Sequence, residues 1–488
     1  MNERAAPRGT EAGLPVAGAP GPGAEREPGS FRDRNGTVFY REDRVLRSLS
    51  PQALANWQRL LETPFFAARR AEGAIVETRL AEGDDPPEVE GAAGILEHAR
   101  IPFVSYPYEW TFGMLKDAAL LQLELLRDAL AEGMILKDST PYNIQWQGAQ
   151  PVFIDIPSFE PLNQGQAWTG YRQFCELYLY PLMLRAYKNV DYRPWLRGRI
   201  DGIPAEEMRG LMSARDMLRP GVLLHVAAQS ALQRRYAGNG TRDMRGALAQ
   251  AGFDRSLIEA NVNKLSNLVS RLSPPAGRSA WSGYESSHSY ATEEAEQKAD
   301  FVRRAAASGP WRLTWDLGCN TGTYSRIAAE HSNFVVAMDG DWRAIETLYQ
   351  REKAGGSRKI LPLVVDLADA SPNQGWQGLE RKSLADRGCP DMTLCLALIH
   401  HVVISANIPL AAFLDWLAEM GTAVVVEFVD RDDEMVRTLL ANREDQYDDY
   451  RPDVFRALLE SRFHIEDEAP LKGGKRHIYF ARPRSVGR

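Results

Sequence analysis

The sequence predicts an α/β protein in two parts: an α+β domain with a helical extension, then an open sheet of mainly parallel strands. The chain of 488 residues is longer than one ordinary hydrophobic core accommodates. In the C-terminal half, apolar runs of strand length alternate with helical stretches, which is typical of a parallel sheet. Within it, Leu313–Tyr324 joins a strand to a helix through a turn of small residues. Open α/β sheets hold nucleotide-like ligands at such turns.

Shifts in composition predict four segments. Residues 1–30 are rich in Pro, Gly, Ala and Glu and have almost no large apolar residues, so we expect a disordered tail. An α+β domain follows over 31–204, and a helical extension with a linker over 205–275. The linker is the stretch 274–277, Pro-Pro-Ala-Gly. The sheet domain covers 276–488.

Composition limits the class of function. The net charge of −7 argues against a dedicated nucleic-acid binder, which usually has a basic surface. The four cysteines form no CxxC pair, which indicates reduced thiols in a cytoplasmic protein. We expect neither a secretory signal nor a membrane span, because no apolar run is long enough. The oligomeric state is left open.

The N-terminal elements follow from local patterns. Ser50 is a candidate cap for a helix, and Gly133 is a natural helix stop. The stretch 168–187 is rich in aromatic residues at near-helical spacing, which favours a packed helix pair, and 205–272 is helical in pattern. The other predicted elements are strands at 36–40 and 73–80, extended chain at 95–108, and helices at 51–61 and 115–132.

A second motif lies in the N-terminal half. Asp138 is followed five residues later by Asn143, and Asp155 comes after an apolar strand. This pattern resembles the catalytic core of protein kinases and aminoglycoside phosphotransferases. There the first Asp orients the substrate hydroxyl, and the Asn and second Asp hold magnesium. The resemblance therefore implies Asn143 and Asp155 as weak candidates for metal ligands.

The chain departs from that family in ways that matter. Leu136 stands where the family usually has His, Asp155 is followed by Ile-Pro, and no glycine-rich phosphate loop precedes the motif. No lysine occurs before Lys116, so the ammonium that should reach the phosphates is absent unless an arginine replaces it. We predict a degenerate kinase-like domain. In the alternative, Asp138 and Asn143 are a turn-capping pair and Asp155 only ends a strand.

The turn after the first C-terminal strand decides which ligand the sheet binds. A dinucleotide fingerprint needs Gly at positions that here hold Gly318, Asn320 and Thr323. The actual pattern is an acid followed by small residues at every second position: Asp316, Gly318, Asn320 and Gly322. It resembles the first motif of the class I S-adenosylmethionine-dependent methyltransferases, with Asn in place of the middle Gly.

The elements that follow extend this resemblance to seven strands. After the first strand, we predict strands at 333–339, 360–366, 391–398 and 423–429, a hairpin of 463–471 with 476–482, and helices at 342–353, 407–420 and 451–461.

The resemblance implies a cofactor site at the strand ends. Asp339 would accept hydrogen bonds from a ribose diol, and Asp366 would contact the adenine amino group. Leu398, at the end of the fourth strand, joins the four motif residues as a cofactor contact. An Asp that ends a strand often only caps the next helix, but successive acids after a glycine turn favour binding. Tyr284, His288 and Tyr290, upstream of the first strand, are candidate lid residues.

Candidate bases lie near the fourth and fifth strands. His400 and His401 follow the fourth strand, and a neutral imidazole there can deprotonate a hydroxyl or amine. Glu427 and Asp430, on the fifth strand and its loop, are rival bases. A packing role for the histidines stays open. The acidic stretch 432–450 bounds a substrate entrance or is a solvated helix face.

Together these patterns predict an enzyme that uses S-adenosylmethionine. We expect direct methyl transfer to an O or N nucleophile of a small-molecule or secondary-metabolite acceptor. The two-part layout resembles bacterial methyltransferases, some of them known as nodulation or secondary-metabolite proteins. The alternatives are a kinase-like phosphotransferase, a non-enzymatic binding scaffold and, for the C-terminal fold, a nicotinamide dehydrogenase.

Overall fold

The computed structural model describes residues 24–33, 35–81, 89–163, 165–230, 255–275, 289–441 and 446–484. The N-terminal half is built on an antiparallel sheet of five strands in the order β1-β2-β3-β5-β4, followed by the two-stranded pairs β6-β9 and β7-β8. These strands are β1 Glu25–Arg26, β2 Val38–Arg41, β3 Arg44–Leu49, β4 Thr78–Leu80, β5 Gly94–His98, β6 Met134–Leu136, β7 Ile144–Gln147, β8 Gln150–Phe153 and β9 Phe159–Pro161.

Helices lie between and after these strands in the chain. They are α1 Pro51–Leu61, α2 Pro64–Glu72, α3 Phe112–Ala131, α4 Tyr171–Phe174, α5 Tyr180–Lys188, α6 Arg193–Gly198, α7 Ala205–Leu211 and α8 Arg255–Arg271, with a π-helical turn at Cys175–Leu179 between α4 and α5. The predicted cap of α1 is confirmed, because the Ser50 side chain accepts a hydrogen bond from the backbone N–H of Ala53 at 3.2 Å.

The C-terminal half contains a seven-stranded sheet in the order β12-β11-β10-β13-β14-β16-β15. Its strands are β10 Trp311–Leu317, β11 Ser332–Asp339, β12 Ile360–Val364, β13 Met392–Cys395, β14 Ala423–Val429, β15 Phe463–Pro470 and β16 Arg476–Pro483. The first five are parallel, and β16 runs antiparallel between β14 and β15. The predicted open sheet with a terminal hairpin is therefore confirmed.

Helices alternate with the strands of this sheet. They are α9 Ser289–Ala306, α10 Thr323–Ala329, α11 Trp342–Ala354, α12 Leu410–Glu419, α13 Glu434–Leu440 and α14 Pro452–Arg462. The chain enters the sheet at β10, and later strands are added on both sides of it, with β11 on one side and β13 on the other. The connections after β10 and β13 therefore lead to opposite sides, which opens a crevice at the carboxyl ends of these strands.

The two halves share one hydrophobic core, which includes Leu49 of β3 and Ala481 of β16. Across their boundary, the Arg387 guanidinium donates two hydrogen bonds to the Glu109 carboxylate, at 2.7 and 2.6 Å. Both side chains are buried, 1% and 5% exposed. The Tyr349 hydroxyl also donates to Asp117 of α3. The predicted boundaries after residues 204 and 275 stay predictions.

Some expectations were wrong. Disorder through residue 30 does not hold for the described residues from 24 onward, since β1 pairs with the edge of β2 through backbone groups that need no apolar side chains. The fourth C-terminal strand ends at Cys395 rather than Leu398. Ala397 has a φ of 49°, which turns the backbone out of the strand.

No helix in the described part of the chain is long and apolar enough to cross a membrane.

Candidate functional site

A cavity of about 800 Å³ lies at the carboxyl ends of the central strands. It brings together every predicted cofactor residue except Gly322, and two of the four candidate bases. The predicted residues that line it are Asp316, Gly318, Asn320, Asp339, Asp366, Leu398, His400 and His401. Glu427 and Asp430 are not among the lining residues.

The turn after β10 forms one wall of the cavity. Gly318 has a φ of +75°, and a Cβ there would lie 3.1 Å from a methyl carbon of Leu398. Asn320 also has a positive φ, 50°, which Asn tolerates better than most residues. Its N–H donates to Asp339 at 2.9 Å, so the turn is tied to the end of β11. Gly322 instead approaches Leu348 of α11, where a Cβ would come within 2.5 Å of a methyl group, so it serves packing.

The three strand-end acids differ in their surroundings. Asp316 is 2% exposed, and burial raises the pKa of its carboxyl to about 7 although Ser325 donates to it at 2.5 Å. Asp339 accepts from the N–H groups of Asn320 and Asp341, and burial raises its pKa against the effect of these bonds. Asp366 is exposed and accepts from Ala368 N at 3.0 Å. Asp339 is therefore held in a fixed orientation at the cavity wall.

The two histidines lie where the chain turns from β13 into a π-helical turn at His401–Ser405. Burial lowers the pKa of His400 to about 2, and it also lowers the pKa of the half-buried His401. Both imidazoles are therefore neutral at physiological pH. Their ring centroids are 4.2 Å apart, and Nδ1 of His400 has no hydrogen-bond partner among the described residues.

The other two candidate bases are engaged elsewhere. Glu427 is fully buried and accepts from the N–H of Ala397 at 2.8 Å, with Lys298 at 2.7 Å and Arg476 at 3.3 Å. Asp430 accepts from the N–H of Asp432 at 3.0 Å in the loop before α13. The geometry thus favours the histidines over these acids for taking a proton in the cavity.

Several lining residues were missed by sequence reasoning. Glu294 and Lys298 come from α9, one helical turn apart, and this spacing on one face was the available signal. Tyr324, Asp433 and Arg476 also line the cavity, and no local motif distinguished them. Of the candidate lid residues, Tyr284 and His288 lie outside the described residues, and Tyr290 is described only as backbone in α9.

The N-terminal motif has a different environment. Asn143 donates to Asp155 at 3.3 Å, and Arg47 of β3 forms an ion pair with the same carboxylate. Burial raises the pKa of Asp138, and the charge of Asp155 raises it further. Among the described residues, no group of three or more His, Cys, Asp or Glu side chains is arranged to hold a metal. The kinase-like resemblance and the metal role of Asn143 and Asp155 stay predictions.

Comparison with known proteins identified one full-length relative. The chain is 34% identical to the nodulation protein NoeA of Rhizobium meliloti strain 1021 over 473 residues, which is 95% of this chain and 97% of that protein. No family model matches the sequence.

Two solved structures with a partial likeness are methyltransferases. The N-methyltransferase NodS of Bradyrhizobium japonicum WM9, in complex with S-adenosylhomocysteine, is 13% identical, with 43% of this chain and 94% of that chain covered and a TM-score of 0.31. The magnesium protoporphyrin IX methyltransferase of Synechocystis PCC 6803, with bound S-adenosylmethionine, is 17% identical, with 43% and 87% covered and a TM-score of 0.29.

Proposed function

The chain belongs to the family of the nodulation protein NoeA, and we propose that it is an S-adenosylmethionine-dependent methyltransferase that acts on a small-molecule acceptor. One observation carries the proposal. Asp339 ends β11 beside the switch point of the sheet, and its carboxylate, oriented by two backbone N–H groups, lines a cavity of about 800 Å³. In open α/β sheets, ligands bind in this crevice, and an acid at this strand end suits a ribose diol.

The lining residues fit this cofactor chemically. The ribose hydroxyls and the adenine amino group are hydrogen-bond donors, and the carboxylates of Asp339 and Asp366 are acceptors. Apolar side chains of Val365, Leu367 and Leu398 supply a surface for the flat adenine ring. Each oxygen of Asp339 uses one lone pair on a backbone N–H, which leaves acceptor capacity for the ligand.

When bound, S-adenosylmethionine supplies a methyl group on a positively charged sulfur. The protein has to orient the acceptor beside that methyl group and accept its proton. His400 and His401 line the same cavity as Asp339. Burial lowers the pKa of His400 to about 2, so the less buried His401 is the better suited of the two imidazoles to hold that proton. Much of the rate acceleration then comes from alignment.

The alternatives have less support. A nicotinamide dehydrogenase shares the parallel-sheet architecture, but the turn lacks the glycine spacing that a dinucleotide pyrophosphate requires. A scaffold without activity would not need a cavity lined by strand-end acids and neutral histidines. For a phosphotransferase in the N-terminal half, the carboxylate expected to hold magnesium is already paired with Arg47.

Titration calorimetry with S-adenosylhomocysteine tests the proposal. We expect the full chain to bind it and Asp339→Ala to weaken binding roughly 100-fold, since each hydrogen bond to a charged group contributes about 1.5–3 kcal/mol. The control is Asp415→Ala, which removes a carboxylate of α12 that pairs with Arg462 and does not line the cavity.

The outcomes separate the alternatives. Unchanged affinity in Asp339→Ala would refute the ribose site. Binding of NAD but not of S-adenosylhomocysteine would indicate a dehydrogenase. Binding of neither would leave the non-enzymatic scaffold as the remaining alternative.

A further inference from the structure

One end of the cavity holds a cluster of charged side chains that the cofactor residues do not explain. Lys298 Nζ lies 2.7 Å from Glu427 Oε2, and Arg476 contacts Glu427 Oε1 at 3.3 Å and Asp433 Oδ2 at 3.0 Å. Glu427 is fully buried behind the lining residues. Both cations of the cluster are therefore already paired with carboxylates of the protein.

Negative charge is in excess at this end. Glu294 lies 3.4 Å from Arg476, and Glu434, next to Asp433, also lines the cavity. This end thus holds two cations and four carboxylates, which are Glu294, Glu427, Asp433 and Glu434. A cavity whose wall carries excess charge of one sign raises the local concentration of ligands of the opposite sign. This end favours a cationic ligand and disfavours an anionic one.

His400 adds a buried polar atom without a partner to the wall of this cavity. Its side chain is 2% exposed and lines the cavity, yet Nδ1 has no hydrogen-bond partner among the described residues. A buried polar group without a partner destabilises the folded chain. A ligand that donates an N–H or O–H to this neutral imidazole would remove that penalty.

From this cluster and the unpaired imidazole, we infer that the acceptor is an amine that reaches the site as its ammonium form, attracted by the carboxylates around Asp433. The inference rests on the proposed methyltransferase function. The ammonium gives up one proton to solvent by way of His401, which is less buried than His400 and also lines the cavity. The free amine then forms a nitrogen–carbon bond while the carbon–sulfur bond breaks, and the electron pair of that bond stays on sulfur. The products are a methylated ammonium ion and the neutral thioether.

A matched set of small probes tests this directly. Phenethylamine, 2-phenylethanol and 3-phenylpropionate share a phenyl group and differ in the charge of the polar end. Their binding is measured by calorimetry on the full chain saturated with S-adenosylhomocysteine at low ionic strength, where electrostatic screening is weakest. We expect phenethylamine to bind at least about tenfold more tightly than 3-phenylpropionate, with the alcohol between them.

Variants locate the preference. Glu434→Gln should weaken phenethylamine binding about two- to fivefold, the effect of one exposed ion pair. Glu330→Gln removes an exposed carboxylate at the far end of α10 and should change nothing.

If S-adenosylhomocysteine itself does not bind, the proposed function and this inference fail together. If it binds, and phenethylamine does not bind or binds no more tightly than the carboxylate probe, only the amine inference is overturned.

Discussion

Asp339 and Asp155 are both acids at or just after the end of a strand, and they lie in very different surroundings. Asp339 is oriented by two backbone N–H groups and faces a cavity. Asp155 is held by the amide of Asn143 and by the guanidinium of Arg47. Backbone dipoles fix a carboxylate without cancelling its charge, whereas a paired cation neutralises it. A strand-end acid therefore indicates a binding site only where its partners leave its charge available.

The largest expected effect comes from breaking the Asp155 pair. Its two side chains are 14% and 18% exposed, so Arg47→Ala leaves a largely buried carboxylate without its cation. We expect the free energy of unfolding to fall by about 3 kcal/mol, measured by urea denaturation. Affinity for S-adenosylhomocysteine should not change.

The matched control is Arg44→Ala on the same strand, whose partner Glu97 also pairs with Arg79. Its expected cost is below about 1 kcal/mol. Equal losses in the free energy of unfolding would show that the Arg47–Asp155 pair stabilises the fold no more than the Arg44–Glu97 pair does.

A second, smaller effect concerns pH. The pKa of His400 is about 2 in the folded chain, and the ordinary value for an unfolded histidine is about 6.5. Below pH 6.5 the unfolded chain takes up a proton that the folded chain does not, so stability falls as pH falls. Asp316, with a pKa raised to about 7, acts in the opposite direction over part of this range.

His400→Gln isolates the histidine contribution. Between pH 6.5 and 5.5 the loss of stability should be about 1 kcal/mol smaller in this variant than in the wild type, measured by urea denaturation at each pH. His331→Gln, at an exposed position, should keep the wild-type slope. Identical slopes for all three proteins would contradict a buried, neutral His400.

The smallest expected effect is that of nucleotide on the Tm, which should not change. If the Arg47–Asp155 pair neutralises the candidate metal ligand, ATP with magnesium should leave the Tm of the wild-type chain unchanged in a thermal shift assay. A clear rise in Tm would show that the N-terminal half binds nucleotide, and the contrast between the two acids would then be lost.

Sequence reasoning succeeded where local patterns determine local structure. The seven-stranded sheet, the Ser50 cap and the turn around Asn320 follow from periodicity, capping chemistry and small residues. It could not predict the roles of Arg476 and Arg47. The roles of these cations depend on partners distant in sequence, Glu427 and Asp155. Sequence periodicity does not predict contacts between residues so far apart.

The buried pair of Arg387 and Glu109 restricts how one half of the chain can be replaced in evolution. The Arg387 guanidinium also lies 5.0 Å from the ring centroids of Phe103 and Tyr106 in the N-terminal half. If one half were exchanged for that of another protein, the half that stays would bury Arg387 without its carboxylate or Glu109 without its cation. Losing either partner of such a pair costs about 3–5 kcal/mol, a large share of a typical folding free energy. Exchange of one half for that of another protein therefore destabilises the chain unless the new half supplies the matching buried charge.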